Sequence, residues 1–318
     1  MSSRFIASRL DPCNTSIERS IFGTDEPQEI WRLVRELCPD AEECFAFEAS
    51  VGALFGVRLR DGSRVAVKVH KLFSDEAYLA DVHTLQTRLA AAGFPAPRPL
   101  RRVGLVTVDQ WLDDGSFRDA HEPAVRRAMA HELVRFHRQA ATTGVRPRRT
   151  FLPDGALWPK PHNALFDFDA TTAGAEWIDE IAGAARRVAS RPIGAEIVGH
   201  TDWSAKHLRF DAQLRATALY DWDSVATGRE PELVGTAAGS FTYTEELDEE
   251  IDVWPSADES QAFLTEYEAE RGTPFDADER AAARAACVYL RAYAARCHHA
   301  YGGDARATGL AEFAEALL

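Results

Sequence analysis

Three short β-rich runs stand in series between residues 43 and 70: ECFAFEAS, ALFGVRLR and SRVAVKVH, the last two separated by Asp61-Gly62. Asp-Gly is a hairpin pair because both residues tolerate positive φ, so these runs are expected to form an antiparallel sheet. Residues 75–92 then carry Leu79, Val82, Leu85, Leu89 and Ala92 on one helical face, and the pattern stops at Gly93, with Pro95 and Pro97 beyond it. One helix is therefore expected on the sheet. A short amphipathic helix over 27–38, with Ile30, Leu33, Val34 and Leu37 at helical spacing, precedes it. The apolar run Val103 to Val108 predicts one more strand, and the polar DQWLDDGS that follows predicts a crossover.

From Pro123 the hydrophobic period changes. PAVRRAMAHELVRFHRQA aligns Val125, Met129, Leu133 and Phe136 in one stripe, with Pro in a favourable first-turn position. Residues 144–165 are rich in Pro and Gly and read as irregular. A helix over 174–190, two strand-like runs (EIVGH and LRATALYDW) and a mostly helical remainder follow. The expected class is α+β, with a β-rich lobe over 1–110 and an α-rich lobe over 111–318.

At 318 residues, 46% hydrophobic and 27% charged, the chain is long enough to bury a core without disulfides or a structural metal, and its balance excludes wholesale disorder. Five scattered cysteines (Cys13, Cys38, Cys44, Cys287 and Cys297) without a C-x-x-C pair suit reduced thiols in a cytoplasmic protein. No apolar run approaches the length of a membrane span, and the first twenty residues hold no apolar signal core. A net charge of −14 argues against a nucleic-acid partner and favours cationic ones. Fourteen acids against two bases fall between Phe241 and Arg280. Such runs are usually solvated faces, and the sharper reading is a negative wall that concentrates a polycationic substrate.

Three constellations carry chemistry. Val65-Ala66-Val67-Lys68 puts a lysine at a strand end, where a fixed ammonium suits nucleotide phosphates. In Gly199 to Phe210 (GHTDWSAKHLRF), Asp202 stands where a carboxylate can orient a hydroxyl and take its proton, with His207 five residues on as a potential metal ligand. In ALYDWD, Asp221 ends an apolar strand, where a hard carboxylate suits Mg²⁺; one of Asp221 and Asp223 is expected to be merely solvated.

In this order, with a G-F-P-A-P break, a crossover, a helix ending in Phe136-His137, an H-x-D loop and a strand closing on L-Y-D-W, the chain resembles the aminoglycoside phosphotransferase and choline kinase group over residues 40 to 240. The resemblance implies a bilobal protein-kinase-like fold and an ATP-dependent or GTP-dependent phosphotransferase. Its acceptor would be a hydroxyl of a small molecule, with a cationic, amine-bearing compound such as an aminoglycoside favoured. Mg²⁺ or Mn²⁺ would be the cofactor, with no membrane or nucleic-acid partner and the oligomeric state left open. Carried over by position, Lys68 matches the phosphate-binding lysine, Asp202 the catalytic-loop aspartate, Asp221 the metal-binding aspartate and His200 a structural histidine. Ser50 and Gly52 fall in the place of the nucleotide-covering loop, where Gly52 would let backbone approach phosphate.

The chain departs from that group twice. His207 stands where asparagine is usual, and imidazole suits manganese or zinc better than hard magnesium. The acid expected to pair with Lys68 has no clear counterpart, and Asp81 is nearest in position. A catalytically inactive, nucleotide-binding or regulatory protein is the alternative that these departures imply. Trp158, His162 and Trp203 are candidates for a substrate cleft or for core, and His137 is expected to be packed and hydrogen-bonded. His298 and His299, adjacent on a helix, diverge too far to form a metal site.

Overall fold

The computed structural model describes residues 21–49, 52–70, 75–147, 155–162, 166–244, 246 and 253–318. The chain divides into two compact units, one running to Ala90 and including Ala96–Asp113, the other made of Ala91–Pro95 and Asp114–Leu318.

In the first unit, helix α1 (Pro27–Leu37) precedes strands β1 (Ala41–Ala49), β2 (Ala53–Leu59) and β3 (Arg64–Val69), then helix α2 (Glu76–Ala91) and strands β4 (Pro99–Val103) and β5 (Val106–Gln110). The five strands form one antiparallel sheet in the order β1-β2-β3-β5-β4. Strand alternation sorts its residues: Phe55, Val57, Val65, Val67 and Val108 cluster with Ile30, Trp31 and Val34 of α1. Ala66 and Lys68 therefore fall on the opposite face. The single strand expected over 103–108 is a hairpin instead. Gly104 adopts φ +55°, a left-handed turn that costs glycine little, and pairs Val103 with Val106 across it.

The second unit holds α3 (Pro123–Thr143), α4 (Glu176–Ala189), β6 (Glu196–His200), β7 (Leu208–Phe210), β8 (Ala216–Leu219), β9 (Val225–Arg229), α5 (Glu230–Ala238), α6 (Ala257–Arg271), α7 (Ala277–Ala300) and α8 (Leu310–Leu317). Two antiparallel pairs, β6 with β9 and β7 with β8, stand among the helices. Phe136-His137 lies inside α3, which runs on until Gly144 stops it in a left-handed cap. His137 is packed as expected, its Nδ1 2.9 Å from the Tyr267 hydroxyl. Helix α5 crosses α7 so closely that a Cβ on Gly235 would stand 1.9 Å from the Ala283 carbonyl oxygen. No helix among the described residues is long and apolar enough to cross a membrane.

The acidic stretch is largely structural. Ser256 with Glu259 and Asp276 with Glu279 form capping boxes that start α6 and α7. Glu266 binds Arg126, Glu268 binds Arg280, Glu270 meets His131 and Glu246 meets Arg209. These acids are engaged with partners within the unit. Glu245, Asp248, Glu249, Glu250 and Asp252 lie outside the described residues.

Glu232, in the first turn of α5, is 6% exposed. Burial pushes its carboxyl up to about 7 from 4.5, against the opposing pull of the Arg229 N–H and the Arg229 and Arg186 charges. The folded state therefore binds more protons than the unfolded chain between these values, and stability falls as pH rises through that window. Glu232→Gln is expected to stabilise the fold by about 3 kcal/mol above pH 7 and to change little below pH 4. Urea unfolding at the two pH values checks this; equal effects at both would show that ionisation is not the cause.

Candidate active site

The loop between β6 and β7 is held at both ends by backbone bonds. Thr201 N–H and Oγ1 both donate to the Ser224 carbonyl, at 2.8 and 2.7 Å. Ala205 and Lys206 N–H donate to Phe241 and Tyr243. Between them Trp203 is fully buried, its ring 6.1 Å from His200 and 6.2 Å from Phe136. Trp203 is thus core and not part of a cleft, because its indole fills the space beneath the loop that presents Asp202.

His200, 1% exposed, ties two backbone positions together. Its Nδ1 accepts the Asp202 N–H at 3.3 Å, so Nε2 carries the proton and donates to the Tyr220 carbonyl at 3.0 Å. Burial, reinforced by repulsion from His207, holds the imidazole below its ordinary pKa. One neutral ring thereby braces the residue before Asp221 against the backbone of Asp202.

The strand that leads to Asp221 pairs with the strand that follows His207, Leu219 opposite Leu208, and Tyr220 N–H donates to the His207 carbonyl at 2.9 Å. Asp221 itself sits at φ 59°, ψ 48°, a left-handed conformation unfavourable for a residue with a side chain. The next turn compensates: Ser224 N–H donates to the Asp221 carbonyl at 2.9 Å, Ser224 Oγ donates to Oδ2, and the Trp222 indole donates to Leu219 O at 2.8 Å.

The outcome is a cluster. Ligand atoms of Asp202, His207 and Asp221 all lie within 4.8 Å of one another, and Asp223 is not among them. His207 Nε2 is 2.9 Å from Asp202 Oδ2, with the imidazole 12% and the carboxylate 46% exposed. Burial opposes both charges, but the pair overrides it: His207 holds the Asp202 carboxyl below its usual range, and Asp202, joined by Asp221, holds the imidazole above its own. Two carboxylates and one imidazole form a hard-to-borderline donor set that fits a divalent cation and leaves coordination positions for other oxygens.

The remaining candidates lie in the first unit. Lys68 is half-buried on β3, paired across to Leu54 and Thr107. Asp81 is half-buried on α2. Ser50 lies outside the described residues. Gly52 has a packing reason for its identity, since a Cβ there would meet the Val69 carbonyl oxygen at 2.4 Å. In the second unit Trp158 stacks on Tyr289 and donates to Asp179 at 2.9 Å, while His162 Nδ1 lies 2.9 Å from the Tyr293 hydroxyl. Burial lowers the His162 pKa, and the Asp202 charge acts against that. Tyr289 and Tyr293 escaped the sequence reading; their i, i+4 spacing on one helix was the available signal. Among the described residues His298 and His299 join no metal-binding cluster, and His299 Nε2 lies 3.1 Å from the Ala173 carbonyl.

No family model and no curated protein matches the sequence. Solved structures do. An amicoumacin kinase, hAmiN, in complex with AMP-PNP, Ca²⁺ and Ami is 11% identical with a TM-score of 0.63, over 99% of this chain and 95% of that one. The choline kinase LicA from Streptococcus pneumoniae is 13% identical with a TM-score of 0.58, over 91% and 98%. A microcompartment-associated aminopropanol kinase is 14% identical with a TM-score of 0.61, over 90% and 94%. The five-stranded antiparallel sheet, the helical second unit and these likenesses together give the chain the kinase-like fold of the small-molecule kinases.

Proposed function

We propose that this chain is a phosphotransferase that moves the γ-phosphoryl group of ATP or GTP to a hydroxyl of a small, amine-bearing molecule. The observation that carries this reading is the convergence of Asp202, His207 and Asp221 within 4.8 Å in a kinase-like fold. The neighbours are named for amicoumacin, choline and aminopropanol, which supports a small acceptor and does not single one out. Four described cysteines are unpaired and buried, which suits a reducing, cytoplasmic setting.

In this mechanism Lys68 holds the α and β phosphates, with Asp81 as the helix acid assigned to it and Ser50 and Gly52 in the covering segment. Asp202 orients the acceptor hydroxyl and takes its proton as the oxygen attacks phosphorus. Asp221 and His207 would hold a divalent ion, Mg²⁺ or Mn²⁺, which neutralises charge on the phosphates when bound. The imidazole nitrogen of His207 shifts the preference towards Mn²⁺. His200 keeps the Asp202 and Tyr220 backbones in register throughout.

One observation favours a second reading. His207 engages Asp202 directly, at 2.9 Å, and a carboxylate committed to an ion pair suits a nucleotide-binding protein without catalysis. Thermal unfolding with ATP or GTP and Mg²⁺ or Mn²⁺ separates the possibilities, since a ligand of the folded state raises the melting temperature by mass action. The expected result is a metal-dependent rise, larger with Mn²⁺, that Asp221→Ala removes. No rise with any combination would refute nucleotide binding, and a rise without transfer to any amine-bearing alcohol would favour the second reading.

A further inference from the structure

We propose that Asp109 of β5 is a positioning residue for the Lys68 ammonium, a second acid reached from the neighbouring strand and not from the helix. Strands β3 and β5 pair with Thr107 opposite Lys68 and Asp109 opposite Ala66. Lys68, Ala66, Thr107 and Asp109 therefore share one sheet face, since Val67 and Val108, directly opposite each other, share the other against α1. The step from Lys68 to Asp109 is a cross-strand diagonal, a distance that a lysine side chain spans. Ala66 contributes only a methyl group beside it.

The carboxylate is built into this face. Gln86 of α2 places Nε2 3.4 Å from Asp109 Oδ1 while donating to the Pro97 carbonyl at 2.6 Å. Thr107 hydrogen-bonds Asp109, and its Oγ1 lies 3.0 Å from His70 Nε2. The groups that face Asp109 are thus Lys68 from β3, His70 just after it, Thr107 from its own strand and Gln86 from α2. Burial pushes the carboxyl up to about 6, and the hydrogen bond from Thr107 and the charges of His70 and Lys68 work against that rise. On α2, Glu76 is occupied with Arg102 at 3.6 Å. A charged side chain that must meet phosphate in one orientation gains from an acid held by two hydrogen-bonding neighbours, Thr107 and Gln86.

The inference rests on Lys68 being the phosphate-binding residue, so its test separates the two claims. The chain has only four lysines, Lys68, Lys71, Lys160 and Lys206. Reductive ¹³C-methylation therefore yields an NMR spectrum in which Lys68 is assigned by Lys68→Arg. Asp109→Asn keeps an oxygen for Gln86 and loses the charge. It should lower the Lys68 titration by about one pH unit without nucleotide, leave the other lysines unmoved, and weaken ATP binding about tenfold. Asp109→Glu should recover most of the affinity. An unmoved Lys68 titration overturns the proposal. If Asp109→Asn does not fold, the reciprocal measurement replaces it: Lys68→Met should raise the Asp109 carboxyl by a similar amount, and no movement overturns the proposal equally. ATP affinity that survives Lys68→Met, with both titrations moving, would remove the phosphate-binding role and leave the pairing standing.

Discussion

Asp202→Asn is expected to lower phosphoryl transfer by about 10²–10⁴-fold while leaving nucleotide affinity and the melting temperature near those of the wild type. Asparagine preserves the shape and one oxygen, so the loop keeps its packing on Trp203 and the backbone bond from residue 202 to His200 Nδ1. What disappears is the group that accepts the hydroxyl proton. The ion pair to His207 disappears with it, so His207 loses the charge that raises its pKa and should titrate lower in the variant. Transfer of labelled phosphate from ATP to a panel of amine-bearing alcohols measures the first effect, and imidazole NMR the second. A variant within tenfold of the wild type would remove Asp202 from the reaction and leave His207 to be explained as part of a binding site.

The second large effect is on stability. Trp203→Ala should cost about 3–5 kcal/mol, a substantial part of the roughly 5–15 kcal/mol that holds a domain folded. The indole is fully buried between Phe136 of α3 and His200 of β6, so its removal leaves a cavity directly under the catalytic loop. Among the described residues the indole nitrogen has no hydrogen-bond partner, so the loss is counted as one of packing. Urea unfolding measures it, and Trp203→Phe, which keeps most of the volume, should recover more than half. A cost below 1 kcal/mol would mean that the loop does not depend on this anchor.

Much of the first unit was legible because its determinants are local. Alternating apolar residues over 43–70 and the Asp61-Gly62 turn specify strand pairing within a few residues, and the α2 stripe ends where Gly93 and the prolines require. The exception was also local: Gly104 split one apolar run into a hairpin, a consequence of positive φ that hydrophobicity alone does not carry. In the second unit the features that the sequence left open depended on distant partners. The acids of 241–280 can be read as a solvated face or as a wall for cations, because nothing near them in sequence announces that Arg126 and His121 lie against Glu266 and Glu259. Trp203 stood open between cleft and core, because nothing near it in sequence announces that Phe136 lies beside it.

The candidate site divides along the same line. The sequence by itself determined that a lysine would stand at a strand end, that Asp202 and His207 would share one loop, and that Asp221 would close an apolar strand-like run. These are matters of spacing and period. Only the tertiary structure decided how Asp221 comes to join them while Asp223 does not, through the β7–β8 pairing, the Tyr220 bond to His207 and a left-handed backbone at Asp221 held by Ser224. It likewise brought Asp109 to the face of Lys68. Hydrophobic periodicity records which face a residue takes, whereas the meeting of two charged groups depends on which strands become neighbours, and that is settled by the packing of the whole unit.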